Sequence, residues 1–176
     1  MLFFLWLLIG VLSRILPHLP NMTAITSLSL LSGSRFSKLQ STAFIILTLA
    51  LSDTLLTYLL NYPLFGWWSL FNYSGFIAIS LLGSKLQPKA NFRLFGFLIS
   101  ASLAFWLWTN FGTWLCNDLY PKTLNGLLTC YIAALPFLRN AVLGDIAWMI
   151  VLLGALKLST FSIKSRRNLL KTKMYS

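Results

Sequence analysis

The 176-residue chain is 57% hydrophobic and only 10% charged, with mean hydropathy +0.77, 14 Lys+Arg, 3 Asp+Glu and a formal net charge of +11. Soluble globular domains carry about 25% charged residues, so this composition excludes an ordinary water-soluble fold and points to an integral membrane protein. A basic excess is also the footprint of nucleic-acid binding, but the positions of the charges account for it without nucleic acid.

Met1 to Leu16 is one apolar segment broken only by Ser13 and Arg14 near its end. It has no basic n-region, and Pro17-His18-Leu19-Pro20 follows instead of a small-residue cleavage site, so it reads as a first span and not a signal peptide. Thr23 to Ser34 is short and Ser/Thr-rich, a span only if extended or enclosed within a bundle. Clearer spans follow at Thr42 to Leu60, Trp68 to Gly83 and Phe92 to Trp114, with turns at Asn61-Tyr62-Pro63, Gln87-Pro88 and Tyr120-Pro121. The apolar run 124–158 is too long for one crossing. Pro136 divides it into a short outer helix over 124–135 and a last crossing from about 137 to 158.

Eleven of the fourteen bases fall on alternate connections: Arg35 and Lys38, then Lys85, Lys89 and Arg93, then Lys157, Lys164, Arg166, Arg167, Lys171 and Lys173. The connections 17–21, 61–67 and 115–123 carry only Lys122 and Asp118. By the positive-inside rule this alternation predicts six spans with both termini cytoplasmic. The expected fold is an all-α polytopic bundle of six helices with an extra short outer helix before the last span. Its organisation is a single transmembrane domain, 1–158, and a basic cytoplasmic tail, 159–176, facing anionic lipid. Membrane lipid is thus an expected partner, and nucleic acid is not.

Charged groups within spans are costly and face a bundle interior or a wet cavity. Four qualify: Arg14, Asp53, Arg139 and Asp145. Counted from the outer turns, all four lie in the outer half of the membrane, at the level of His18, Asn21, Thr109 and Asn110, which predicts an outward-facing polar pocket holding Asp53 and Arg139. The alternative is ion pairing, Asp53 with Arg139 or Arg14 and Asp145 with the other, while Gly144-Asp145 also suits close helix packing. The aromatic clusters around Trp67 to Tyr73 and Trp106 to Trp114 read as interfacial belts, with Tyr73 and Trp108 the candidates for stacking on a flat ligand.

No catalytic set is evident. There is one histidine, no glutamate and no phosphate-binding glycine loop, so an enzyme is not expected. An Asp53/Asp145 aspartyl dyad is disfavoured by the neighbouring arginines, which hold both carboxylates ionised. Cys116 and Cys130 have no metal-ligand spacing, and neither a metal nor another cofactor is expected.

The string from Arg14 through Pro17-His18, Pro20-Asn21 and Thr23, then Leu51-Ser52-Asp53, Thr109-Asn110-Phe111-Gly112 with Trp114, Tyr120-Pro121 with Thr123, Gly126-Leu127, Cys130-Tyr131, Pro136-Phe137, Asn140 and Gly144-Asp145 resembles a family of small bacterial membrane proteins of unassigned function. That family is distantly similar to the substrate-binding S-components of energy-coupling-factor vitamin transporters and to solitary cobalamin transporters. The resemblance implies an S-component-like six-helix bundle in the bacterial inner membrane that takes up a vitamin-like or nucleoside-like solute from outside, with an energising transporter module as partner. It implies His18, Asp53, Tyr73 and Arg139 as ligand contacts, beside Asn110 and Asp145 at the same depth. Cobalamin itself is not singled out, because 61–73 holds no cysteine to reach cobalt. A non-transporting scaffold subunit of a larger complex is the competing expectation.

Overall fold

A computed structural model describes the backbone of residues 2–86 and 92–174, with side chains through 158 apart from Phe92. Lys89 and the expected Gln87-Pro88 turn lie outside the described residues, as do the side chains of the basic tail. The described chain is all helical: α1 Leu2–Ile15, α2 Ile25–Arg35, α3 Lys38–Leu60, α4 Trp67–Gly83, α5 Phe92–Cys116, α6 Leu124–Ala133 and α7 Leu135–Met174.

Local chemistry sets the boundaries. α1 stops before Pro17, whose ring disfavours helical backbone at the preceding residue. Ser37 and Gln40 form a reciprocal capping box that opens α3, and Asn61 closes it in the left-handed conformation at φ 55°. Thr123 caps α6 by accepting from the Gly126 amide at 3.1 Å. The break at Pro136 falls where the sequence places it: α6 ends at Ala133 and α7 begins at Leu135, with Pro136 in a first turn that needs no amide donor. α7 then runs unbroken past the expected domain edge at 158.

Three helical stretches, Lys38–Leu60, Arg93–Cys116 and Leu135–Leu158, are long and apolar enough to cross a membrane. Large apolar side chains cover the outside of the bundle, among them Phe4, Leu8, Leu47, Leu103 and Ile150, while its buried polar set is mostly hydroxyls such as Ser27, Ser52 and Ser102. This is the arrangement of a helical membrane protein, where lipid solvates the exterior and polar groups turn inward. α1, α2 and α4 have 14, 11 and 17 residues, fewer than the roughly 20 a full crossing takes.

The short polar segment is the one enclosed within the bundle. Ile25 to Gly33 of α2 are all buried, ringed by α1, α3, α4, α5 and α7. Two of its serines bond locally or across helices: Ser32 donates to the Ser29 carbonyl at 3.0 Å, and Ser27 to the Asp145 carbonyl at 2.7 Å. The tightest approach is to α4. A β-carbon at Gly33 would sit 1.8 Å from the Ser80 carbonyl oxygen, and one at Gly83 would sit 2.3 Å from that of Leu30, so only glycine lets these two backbones touch. On α1, Gly10 faces Thr48 and Leu28, and the buried Ser13 accepts from the Ala24 amide at 3.1 Å.

Gly33→Ala and Gly83→Ala should each lower stability in detergent by about 1–3 kcal/mol through overpacking. At Gly96 and Gly154 no atom lies within 4 Å of where a β-carbon would stand. Alanine there should leave the melting temperature unchanged or raise it, since helical glycine costs about 1 kcal/mol relative to alanine. Thermal melts of the four variants decide the matter, and equal effects at all four sites would refute the close-packed crossing.

Candidate functional site

The segment between α1 and α2 and the turn after α3 lie at one end of the bundle. Beside them is a cavity of about 550 Å³, bordered by the C-terminal end of α1, the 16–23 segment, the end of α3, the facing side of α4, the second half of α5 and the early turns of α7. Arg14, His18, Asn21, Thr109, Asn110 and Asp145 all line it, so six of the eight polar residues placed in the outer half by counting along the sequence share one cavity, while Asp53 and Arg139, the two expected to define it, do not line it. Phe76, Phe105 and Trp106 supply apolar wall, and Thr26, Asn72 and Ser102 add polar groups.

Arg14 anchors the α1 side. Its Nη1 lies 2.7 Å from Asp53 Oδ1 and also donates to Ser52 Oγ, with the Leu49 carbonyl at 3.5 Å. Ser52 can accept because its own hydroxyl proton is directed to the Thr48 carbonyl, 2.7 Å away. The second carboxylate oxygen of Asp53 accepts from the Tyr73 hydroxyl at 2.9 Å. α1, α3 and α4 are thus joined by one charge-assisted network, with the ionic side chains 19% and 16% exposed. Of the two pairings open to Asp53, the fold takes Arg14. The hydroxyl of Tyr73 is committed to Asp53, and neither Tyr73 nor Asp53 is part of the cavity lining.

Arg139 is a correction to the pairing scheme. It stands outside the cavity wall, and among the described residues no arginine is paired with Asp145. The reason is helical phase. At about 100° per residue, Arg139 stands roughly 240° around α7 from Asp145, whereas Ala141, four residues before Asp145, shares its face and lines the cavity. Asp145 is 2% exposed and accepts from the Ser102 hydroxyl at 2.6 Å, with the Thr26 hydroxyl beside it. The neighbouring Gly144 does serve close packing, since a β-carbon there would meet the Met22 backbone at 2.8 Å.

His18 is exposed at the rim, with Nδ1 2.6 Å from the Leu16 carbonyl, which makes that nitrogen the donor. Asn110 directs Nδ2 to the Trp106 carbonyl at 2.8 Å and borders the cavity. Trp108 stands away from this cavity, hydrogen-bonded to Ser74 Oγ at 2.9 Å on an apolar groove between α4 and α5. Trp106 is the ring that borders the cavity, and it is fixed there by donating to the Ala134 carbonyl at 3.0 Å and packing on Tyr131. Lys122 is exposed and donates to the Trp114 and Asn117 carbonyls, and so closes the end of α5. Cys116 and Cys130 are free thiols, and among the described residues no group of three or more His, Cys, Asp or Glu could hold a metal ion.

Sequence reading alone does not reveal Ser52, Thr26, Asn72 and Ser102. Ser52 adjoins Asp53, which is its one signal; Thr26, Asn72 and Ser102 carry none until the helices are phased against one another.

Asp53→Asn should destabilise the protein by about 1.5–3 kcal/mol, the range for a hydrogen bond to a charged group. Tyr73→Phe should cost about 0.5–1.5 kcal/mol. A double-mutant cycle between them should show coupling; strictly additive losses would mean that the two groups act apart.

Comparison with curated proteins gives no match, and none is found among solved structures. A match to a family model does exist, over residues 1–167, and it agrees with the uncharacterised character of the sequence strings. The chain belongs to the family of unknown function DUF6580.

Proposed function

We propose that the protein is a small-solute uptake component of the bacterial inner membrane, S-component-like in arrangement, and that the cavity beneath the 16–23 segment is its solute site. The observation that carries this reading is the cavity itself: about 550 Å³, within the range of small-molecule sites, with aromatic wall and a few convergent polar groups. A scaffold subunit needs no such space. The size suits a vitamin-like or nucleoside-like compound.

In this reading α1 to α5 and α7 are the six membrane helices, with the shorter ones completed by their flanking segments, and α6 is the outer helix over the cavity's side. Arg35, Lys38, Lys85, Arg93 and Lys157 gather at the end opposite the cavity, which by the positive-inside rule supports a cytoplasmic placement of that end and an outward-facing cavity. No nucleotide-binding motif is present in the chain, so energy for uptake comes from a gradient or from an energising partner module. Of the six residues expected to contact solute, His18, Asn110 and Asp145 do so directly, Asp53 and Tyr73 act by positioning Arg14, and Arg139 takes no part.

Protein purified from its own membranes should carry a small molecule detectable by native mass spectrometry. Ala141→Phe, which fills the cavity and leaves every polar group in place, should weaken ligand-induced thermal stabilisation across a vitamin and nucleoside panel by more than about tenfold in affinity, or about 1.4 kcal/mol. Arg139→Ala should leave it unchanged. A protein that retains nothing and is stabilised by no compound is not a solute carrier.

Reporter fusions address orientation separately. A C-terminal fusion should report cytoplasm, and a fusion in the 61–66 connection should report the outside. The reverse pattern would turn the cavity inward and end the uptake reading.

A further inference from the structure

Resting on the cavity as a solute site, we propose that the solute is a cation, an amine-bearing compound whose ammonium group is held by Asp145. Charge accounting within the cavity carries this. Arg14 is already matched by Asp53 at 2.7 Å, and its Nη1 is shared with Ser52 and Leu49. Asp145 has no such match: its neighbours are the hydroxyls of Ser102 and Thr26, and among the described residues the ion pair at this end of the bundle is Arg14 with Asp53. The first turn of α2, to which Thr26 belongs, adds only the partial positive charge of a helix N-terminus.

Keeping a carboxyl that is 2% exposed ionised without a counter-ion is costly in a low-dielectric interior, and a bound cation removes that cost. A ligand that supplies the missing positive charge therefore gains more than one that does not, and discriminates by that difference. An anion finds no unmatched cation on the cavity wall apart from the rim imidazole of His18. The adjacent wall also suits the carbon body of such a compound: Phe76 and Phe105, stacked with ring centroids 4.1 Å apart, and Trp106 border the same space and offer apolar contact.

The test uses the full chain in detergent and three probes of one shape: 2-phenylethylamine, 2-phenylethanol and phenylacetate. The amine should stabilise the wild-type protein and bind at least about tenfold more tightly than the alcohol or the carboxylate. Asp145→Asn, close in shape and still able to bond Ser102, should bind amine and alcohol alike. The wild-type rank order alone is decisive should that variant fail to fold, and Ser102→Ala, expected to narrow the preference severalfold, is the second variant. Equal or tighter binding of the alcohol or the carboxylate would overturn the cation while leaving the solute site intact, as would full preference retained in Asp145→Asn. Sodium chloride alone reproducing the shift in the wild type would also overturn it, because the bound cation would then be inorganic. Failure of the underlying reading looks different: no probe of any charge binds and no compound is retained on purification.

Discussion

The bundle depends on the enclosure of α2. A helix reading Ile-Thr-Ser-Leu-Ser-Leu-Leu-Ser-Gly-Ser-Arg is a poor membrane span by composition, yet from Ile25 to Gly33 it is wholly buried while more apolar helices surround it. In lipid the hydrophobic effect does not drive helices together; close packing and interhelical hydrogen bonds do. Small side chains on α2 permit the first, and hydroxyls permit the second. Gly33 against Ser80, and Gly83 against Leu30, bring α2 and α4 to backbone contact, and the more apolar helices are left with the lipid-facing positions.

The two interior carboxylates are handled in opposite ways. Asp53 sits in a network that satisfies it twice over, by the Arg14 guanidinium and the Tyr73 hydroxyl. That network ties three helices, and of its members only Arg14 borders the cavity. Asp145 is deeper, has hydroxyl partners only, and borders the cavity. One chain thus keeps an ion pair for architecture and, at the cavity, a buried carboxyl partnered by hydroxyls. The difference arises from which residues each helix presents: α3 meets α1 at Arg14, while α7 meets α5 and α2 at serine and threonine.

Much of this is legible in the sequence. Apolar run length and proline placement locate the helices within a few positions except at the end of α7, which runs on from the expected 158 to Met174, and the depth of each polar residue can be counted from the nearest turn. Counting depth brings Arg14, Asp53, Arg139, Asp145, His18, Asn21, Thr109 and Asn110 to the outer half, and all but Asp53 and Arg139 line the cavity. Depth is one coordinate, however, and angle is another. Arg139 has the right depth and the wrong face of α7, and Tyr73 has the right depth but spends its hydroxyl on Asp53. Thr26 and Ser102 stay hidden because a single hydroxyl in an apolar run carries no pattern; only the packing of α2 against α5 and α7 makes them neighbours of Asp145.

The same shortness that makes α2 a weak span creates the cavity. Eleven residues at about 1.5 Å each reach only about 16 Å, roughly half the hydrocarbon thickness. α3, α5 and α7 continue beyond its N-terminal end, and the space they enclose there is not filled by the chain leading into α2, because Pro17, Pro20 and the left-handed Asn21 turn that segment across the mouth. Thr23 and Thr26 therefore lie in the cavity wall at the head of the buried helix, and Asp145 is aligned with its first turn. Lengthening α2 by two turns would make a more ordinary span and would occupy the site. The bundle's weakest transmembrane segment and its cavity are consequences of one choice of helix length.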